Sequence, residues 1–276
     1  MEIVFDPAGS GYHTFRIPSV VARGSLVLAF CEGRLNGSGD AGEIEIVLRR
    51  SLDGGQTWLP VQVVSAKAGK TCGNPVPLFD PVSGDVVLVT VENGADAVEM
   101  SLARGTDPES GRRVFVQRSS DDGATWSPTV EITGQVKRAD WGWYATGPMH
   151  GIQLTRGAHA GRMVAGTNFD VGTGTATKDA AQLVYSDDKG ETWHKGATDL
   201  RTDDQVPQEV SVVEKVDGGI LAMARNNTGG PGVNRMSAVS NDGGQTYTAP
   251  YKTVDGLVTP TVQTSLQRLR AVDEGA

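Results

Sequence analysis

Apolar and polar residues alternate along most of this chain. The stretch EIEIVLRRS (43–51) puts Ile44, Ile46 and Leu48 on one face, and RRVFVQRSS (112–120) and AAQLVYSDD (180–188) repeat the pattern. A period of two is the signature of a strand with one buried face. Further strands are predicted at SLVLAF (25–30), DVVLVTVE (85–92), RMVAGTNF (162–169) and GGILAMAR (218–225). Stretches with the 3.6 period of a helix are hard to find.

Three of these strands run straight into a repeated turn. The chain reads SLDGGQTW at 51–58, SSDDGATW at 119–126, SDDKGETW at 186–193 and SNDGGQTY at 240–247. The common form is S-x-D-x-G-x-T-[WY]. Each position has a mechanical reading. The Asp accepts hydrogen bonds from the N–H groups of its own turn. The Gly supplies a positive φ. The Thr and the aromatic start the next strand and pack the turn onto the sheet. A unit repeated once per sheet serves the sheet, so the boxes define architecture and carry no chemistry. Repeated antiparallel sheets without long exposed edges predict a single all-β domain over 1–276, a β-propeller. The tail VDEGA (272–276) reads as a frayed end.

Composition narrows the class. The chain has 276 residues, 38% of them apolar, with 36 Gly and 13 Pro, as a turn-rich fold with a large core requires. The net charge of −8 argues against a nucleic-acid partner, which needs a broad basic face. An anion must then be met by a few focused arginines. No apolar run approaches the length of a membrane helix, and no membrane partner is expected. The start MEIVFDPAGSGYHTF has no basic n-region or apolar h-region, so no secretory signal is read there. Cys31 and Cys72 are too few for a disulfide framework and read as buried free thiols. No His, Cys and Asp cluster has metal-ligand spacing, and no cofactor is expected.

Among the unrepeated features, FRIP (15–18) sets Arg16 between apolar residues. Burying that guanidinium without an anion is costly, so either a ligand or a structural ion pair must meet it. FRIP followed by several S-x-D-x-G-x-T-W boxes resembles the bacterial exo-α-sialidase (neuraminidase) family, with the likeness running from about residue 3 to the end. The resemblance implies a six-bladed propeller with its site at one end of the central axis. It also implies retaining cleavage of terminal α-linked sialic acid by a Tyr nucleophile, and so a sialoglycan partner.

Roles carry over by motif. Arg16 matches the first arginine of a carboxylate-clamping triad, where Arg is wanted for bidentate pairing. In CEGRLNGSGDAGEIEIVLRRS (31–51), Arg34 matches an arginine near the sugar 4-hydroxyl and Asp40 the loop acid/base, although a turn Asp also fits. Asn74, in TCGNPVPLFD (71–80), stands where some relatives have Asp and is expected to bind the same hydroxyl region. In WGWYATGPMHGIQL (141–154), Met149 replaces the usual Gly of a pocket segment and is expected to reshape the pocket for the N-acetyl and glycerol groups. In PQEVSVVEKVDGGILAMARNN (207–227), Glu209 matches the base for the Tyr and Arg225 the second arginine of the triad. A period-two count puts Glu209 and Arg225 on neighbouring strands; a structural Glu–Arg pair would also fit.

The third arginine and the catalytic Tyr have no match among the residues present. LVTPTVQTSLQRLRAVDEGA (257–276) reads as the first strand region of a fifth blade, so about four and a half blades are expected. Three readings stay open: a piece of a longer protein, which is favoured; a ring completed by self-association; or a propeller that binds sialic acid without cleaving it. An Asp-box propeller used only for protein contacts is a further alternative.

Overall fold

The computed structural model describes residues 3–99, 111–171, 178–201, 203–228 and 232–269. The regular structure is overwhelmingly strand, in four successive antiparallel meanders. The first is β1 (Thr14–Arg23), β2 (Leu26–Arg34), β3 (Ile44–Ser51) and β4 (Gln62–Ser65). The second is β5 (Lys70–Phe79), β6 (Val86–Gly94), β7 (Arg113–Ser119) and β8 (Val130–Glu131), joined to the first by one parallel bridge between Ile44 and Thr71. In the third, β9 (Trp141–Thr146) and β10 (Ile152–Gln153) share the edge of β11 (Met163–Val171), followed by β12 (Lys178–Ser186) and β13 (His194–Leu200). The fourth is β14 (Pro207–Glu214), β15 (Ile220–Asn226), β16 (Val233–Ser240) and β17 (Lys252–Thr259). Helix contributes only short turns among the described residues, such as α1 (Thr133–Val136).

The boxes fall at the same place in every sheet. Their serines, Ser51, Ser119, Ser186 and Ser240, are the last residues of the third strands. One hydrogen-bond set then recurs. The Ser hydroxyl donates to the Asp Oδ1 at 2.7–2.8 Å and accepts from the Gly N–H at 2.7–2.9 Å. The Asp Oδ1 accepts from the Thr N–H at 2.8–2.9 Å, and its Oδ2 takes the Thr hydroxyl at 2.6 Å. These bonds favour the ionised form and hold Asp53 and Asp121 down at about 2.

The box glycines show what the turn does for the fold. Gly123, Gly190 and Gly244 are left-handed, and each sits against the preceding sheet. A Cβ on Gly123 would come within 3.2 Å of Leu48, and one on Gly190 within 3.1 Å of Val87. The box is therefore a rivet between neighbouring sheets. Trp193 is buried in the core shared by the second and third sheets, beside Val87 and Val184, and donates its indole N–H to Gly190 O at 3.0 Å. Trp126 meets Phe30 of the first sheet edge-on at 5.8 Å. Cys31 and Cys72 are buried free thiols.

One expectation changes. Leu257–Thr259 close β17 of the fourth sheet, where Val258 opposes Asn234 and Thr259 opposes Val233. Pro260, which has no N–H to give the ladder, follows the last strand residue. Residues 261–269 then run without a ladder between the first and fourth sheets. Gln263 donates to Pro18 O, and the Leu266 N–H donates to Ser211 Oγ. The tail at 272–276 lies outside the described residues.

Candidate active site

The first strand of each sheet is kinked at one point. Ile17 (φ 58°), Asn74 (54°), Gly147 (43°) and Glu209 (48°) are all left-handed. The pairing slips between Arg16 and Ser19, between Gly73 and Val76 and between Gln208 and Ser211, and in the third sheet the strand divides into β9 and β10. A left-handed backbone costs a side-chain-bearing residue roughly 1–2 kcal/mol, most for a β-branched one such as Ile17. Two of the kinks are held from the preceding sheet. The Asn74 N–H donates to Glu32 Oε1 at 3.0 Å, and the Glu209 N–H donates to Asn168 Oδ1 at 3.1 Å.

The kinks surround one cavity of about 490 Å³ lined from all four sheets. Arg16, Arg34, Asp40, Asn74, Glu209 and Arg225 all reach it. Met149 does not. It is 2% exposed and lines a separate cavity of about 740 Å³, with His150, Gln263 and Arg268 among its other walls. The Pro148–Gly151 turn carries Met149 past the kink and away from the arginines.

At one side of the cavity the exposed Asp40 bridges two arginines, 3.0 Å from Arg16 Nη1 and 2.8 Å from Arg34 Nη1. Arg34 is buried. Its Nη2 and Nε meet Glu32 Oε2 at 2.6 and 3.0 Å, and its Nη1 donates to Ser38 O and Gly39 O at 2.6 Å. The Asp40 loop is thus tied down by a cation anchored in β2. Across the cavity, Arg225 Nη1 lies 3.1 Å from Glu209 Oε2, and Arg225 Nη2 donates to Gln208 Oε1 at 2.7 Å. Burial pushes the Glu209 carboxyl up; Arg225 and then Arg235 pull it back down.

Several lining residues escaped the sequence reading. Arg112 donates to Asn74 Oδ1 at 2.8 Å and to Tyr144 O at 2.9 Å, and its guanidinium lies 3.7 Å above the Trp143 ring. Burial pushes it down to about 10, against the pull of Glu32 and Glu99, so it stays charged at neutral pH. Its signal was parity: Arg112 shares the inward phase of Val114 and Val116 in β7. Glu32 and Gln208 lay inside motifs already singled out. Trp143 lay inside the 141–154 pocket segment, and nothing in the local text marks Asn168.

Four guanidinium groups therefore face Glu32, Asp40, Glu99 and Glu209 in the same cavity. Arg34 and Arg112 are sealed, whereas the Arg16 and Arg225 side chains are 46% and 23% exposed. The cations open to an incoming anion are thus Arg16 and Arg225, with carboxylates on both flanks. Such a site can clamp one carboxylate and offer a proton-bearing group beside it. Among the described residues no group of three His, Cys, Asp or Glu is placed to hold a metal ion.

Comparison with known proteins bears on the family and the fold. The family model of the BNR repeat-like domain matches residues 24–271. A sialidase of Micromonospora viridifaciens is 34% identical over 94% of this chain and 39% of its own length. A sialidase of Bacteroides fragilis is 31% identical over 94% of this chain and 47% of its own. The chain thus spans half or less of these curated relatives. Among solved structures, a Hadza microbial sialidase superposes with a TM-score of 0.78 at 26% identity, over 92% of this chain and 50% of the other. An intramolecular trans-sialidase from Ruminococcus gnavus, solved with oseltamivir carboxylate, gives 0.78 at 18% identity over 93% and 74%, a likeness of fold alone.

Proposed function

The chain belongs to the BNR-repeat sialidase family, and from that premise we propose that it is the site-bearing part of an exo-α-sialidase. The observation that carries the reading is convergence: Arg16 and Arg225, far apart in sequence and on different sheets, are the two reachable cations of one cavity that also holds Asp40 and Glu209. A terminal sialic acid presents one carboxylate next to its anomeric carbon. In the proposed mechanism Arg16 and Arg225 grip that carboxylate, displacing Asp40 from Arg16. Freed and covered by substrate, Asp40 protonates the departing glycan oxygen and later takes the proton from water. Arg34 keeps its loop in place. Asn74, its amide oxygen held by Arg112, binds the far side of the sugar ring.

Glu209 serves as base for a tyrosine nucleophile. A phenol with a pKa near 10 attacks poorly until a carboxylate takes its proton. Being neutral, it also approaches the anionic sugar without repulsion. None of the tyrosines of this chain lines the cavity. In this proposal the nucleophile and a third arginine come from outside the residues given. The same observation favours a second reading, in which the chain binds sialic acid without cleaving it.

The test is turnover of a fluorogenic α-sialoside by a longer protein that carries these residues together with the proposed tyrosine and third arginine, alongside calorimetric binding of a 2,3-dehydrated sialic acid. Turnover abolished by Asp40→Asn supports the enzyme. Binding without turnover, lost in Arg225→Ala, supports the second reading. Absence of both overturns the assignment of the site.

A further inference from the structure

The Arg225 guanidinium is held at two points among the described residues, Gln208 Oε1 at 2.7 Å and Glu209 Oε2 at 3.1 Å, and its buried Nε has no hydrogen-bond partner there. Its orientation therefore depends on Gln208. A glutamine amide can face either way until its other end is fixed. Here the Nε2 end donates to Asp179 Oδ1 at 2.6 Å. An acceptor at that end forces the carbonyl end onto Arg225. Behind Asp179, directly opposite it across the β11–β12 ladder, stands Asp170, which is 5% exposed.

We propose that the carboxyl pair Asp170–Asp179 is a positioning device that, through Gln208, sets the orientation of the Arg225 guanidinium in the cavity. Two adjacent carboxyls, one of them buried, cannot both ionise cheaply. Burial, and then the hydrogen bond to Asp179 with the charges of Asp179 and Glu99, push Asp170 well above the ordinary carboxylate range. Asp170 keeps its proton at neutral pH and gives it as a hydrogen bond to Asp179. Asp179 is then a single fixed acceptor for Gln208.

Among the described residues the charges that act on Asp170 come from two places. Asp179 comes from β12 and Glu99 from the segment after β6. Arg112 and Arg225 act on Glu99 in turn. Removing the proton at high pH places a second negative charge against Asp179 and breaks the bond that fixes it. Arg225 then loses its orientation.

This inference rests on the sialic-acid reading for its ligand but not for its physics, and two measurements keep them apart. The first needs no ligand. Carboxyl-carbon NMR of the intact chain between about pH 5 and about pH 10 should find Asp170 titrating above neutrality, with the Arg225 Nε–H resonance moving at the same pH. In Gln208→Leu the Arg225 resonance should no longer follow the pair. Asp170 titrating as an ordinary carboxyl, or Arg225 indifferent to both the titration and Gln208→Leu, overturns the proposal.

The second measurement is affinity for N-acetylneuraminic acid. Asp170→Leu should weaken it about tenfold at neutral pH, equivalent to roughly 1.4 kcal/mol. The wild type should lose affinity at alkaline pH; Asp170→Asn, which still donates, should restore the neutral-pH affinity and abolish that alkaline loss. An Asp170→Asn variant as weak as Asp170→Leu, or one that keeps the alkaline loss, counts against the relay. If the wild type binds no sialic acid at any pH, the functional reading fails, and the NMR result still decides the proposal.

Discussion

The buried Glu32–Arg34 pair gives the sharpest quantitative test of how the site is held. Both side chains are sealed, at 4% and 3% exposure, and they meet through two contacts of 2.6 and 3.0 Å. Removing one partner from such a pair strands the other charge in a poor dielectric and costs about 3–5 kcal/mol. Glu32→Gln is nearly isosteric and keeps an acceptor for the Asn74 N–H, so it isolates the charge. Arg34→Met keeps most of the side-chain volume and strands Glu32 instead. Once one charge is gone, losing the second costs little, so the double variant should cost no more than about the larger single, a coupling of roughly 3 kcal/mol. The contrast is Asp40. It also touches Arg34, at 2.8 Å, but its side chain is 73% exposed. A water-screened pair contributes about 0–1 kcal/mol, so Asp40→Asn should barely move stability. Urea unfolding of the four proteins and of Asp40→Asn measures all of this. Glu32→Gln and Arg34→Met additive within about 0.5 kcal/mol, or Asp40→Asn as costly as Arg34→Met, would refute the reasoning.

Trp193→Ala should lose about 3–5 kcal/mol by emptying the core between the second and third sheets, read as a drop in Tm; a silent variant would show that the box does not rivet the sheets. The box carboxylates predict an acid limb. Asp53 and Asp121 sit at about 2 when folded against an ordinary 3.8. Their stabilisation is thus complete above the unfolded value and is lost as pH falls from about 4 towards about 2. The urea midpoint should decline over that range and decline less in Asp53→Asn; a flat midpoint would contradict the bonding seen. Arg225 is the largest influence holding the Glu209 carboxyl down against burial. Arg225→Met should raise the Glu209 pKa further, measurable by carboxyl NMR, and an unchanged value would mean the two do not interact.

What was legible in the sequence follows the range of the forces involved. The boxes were legible because their bonds close within five residues, so Ser51, Asp53, Gly55 and Thr57 carry the whole network in one octapeptide. The strands were legible from their period. The six residues that share the cavity were found through motifs, since no local rule connects Arg16 with Glu209. Met149 sits within the same kind of motif and still turns away, because one turn at 148–151 redirects the strand. Arg112 and Asp170 were missed for a physical reason. Their partners, Asn74 and Asp179, lie on other strands, and a buried charge looks in the text like any polar residue at a strand end. Parity alone separates Arg112 from its neighbour Arg113, which pairs with Glu131 at the surface.

The kinks join fold to function. A flat first strand would keep Arg16, Asn74 and Glu209 in plain alternation along the sheet, with no common target. A single left-handed residue in each first strand slips the register and turns the adjacent side chains to one end of the stack. That explains why Arg16 precedes the strained Ile17, and why Asn74 and Glu209 themselves occupy the strained positions. The strain is not free-standing, since Glu32 and Asn168 hold two of the kinks from the sheet before. The first and third sheets therefore shape the active ends of the second and fourth, and the residues that look structural, Glu32 above all, are the ones that aim the chemistry. Glu32→Gln should for that reason misplace both Arg34 and Asn74, and lower sialic acid affinity even at temperatures where the variant is fully folded.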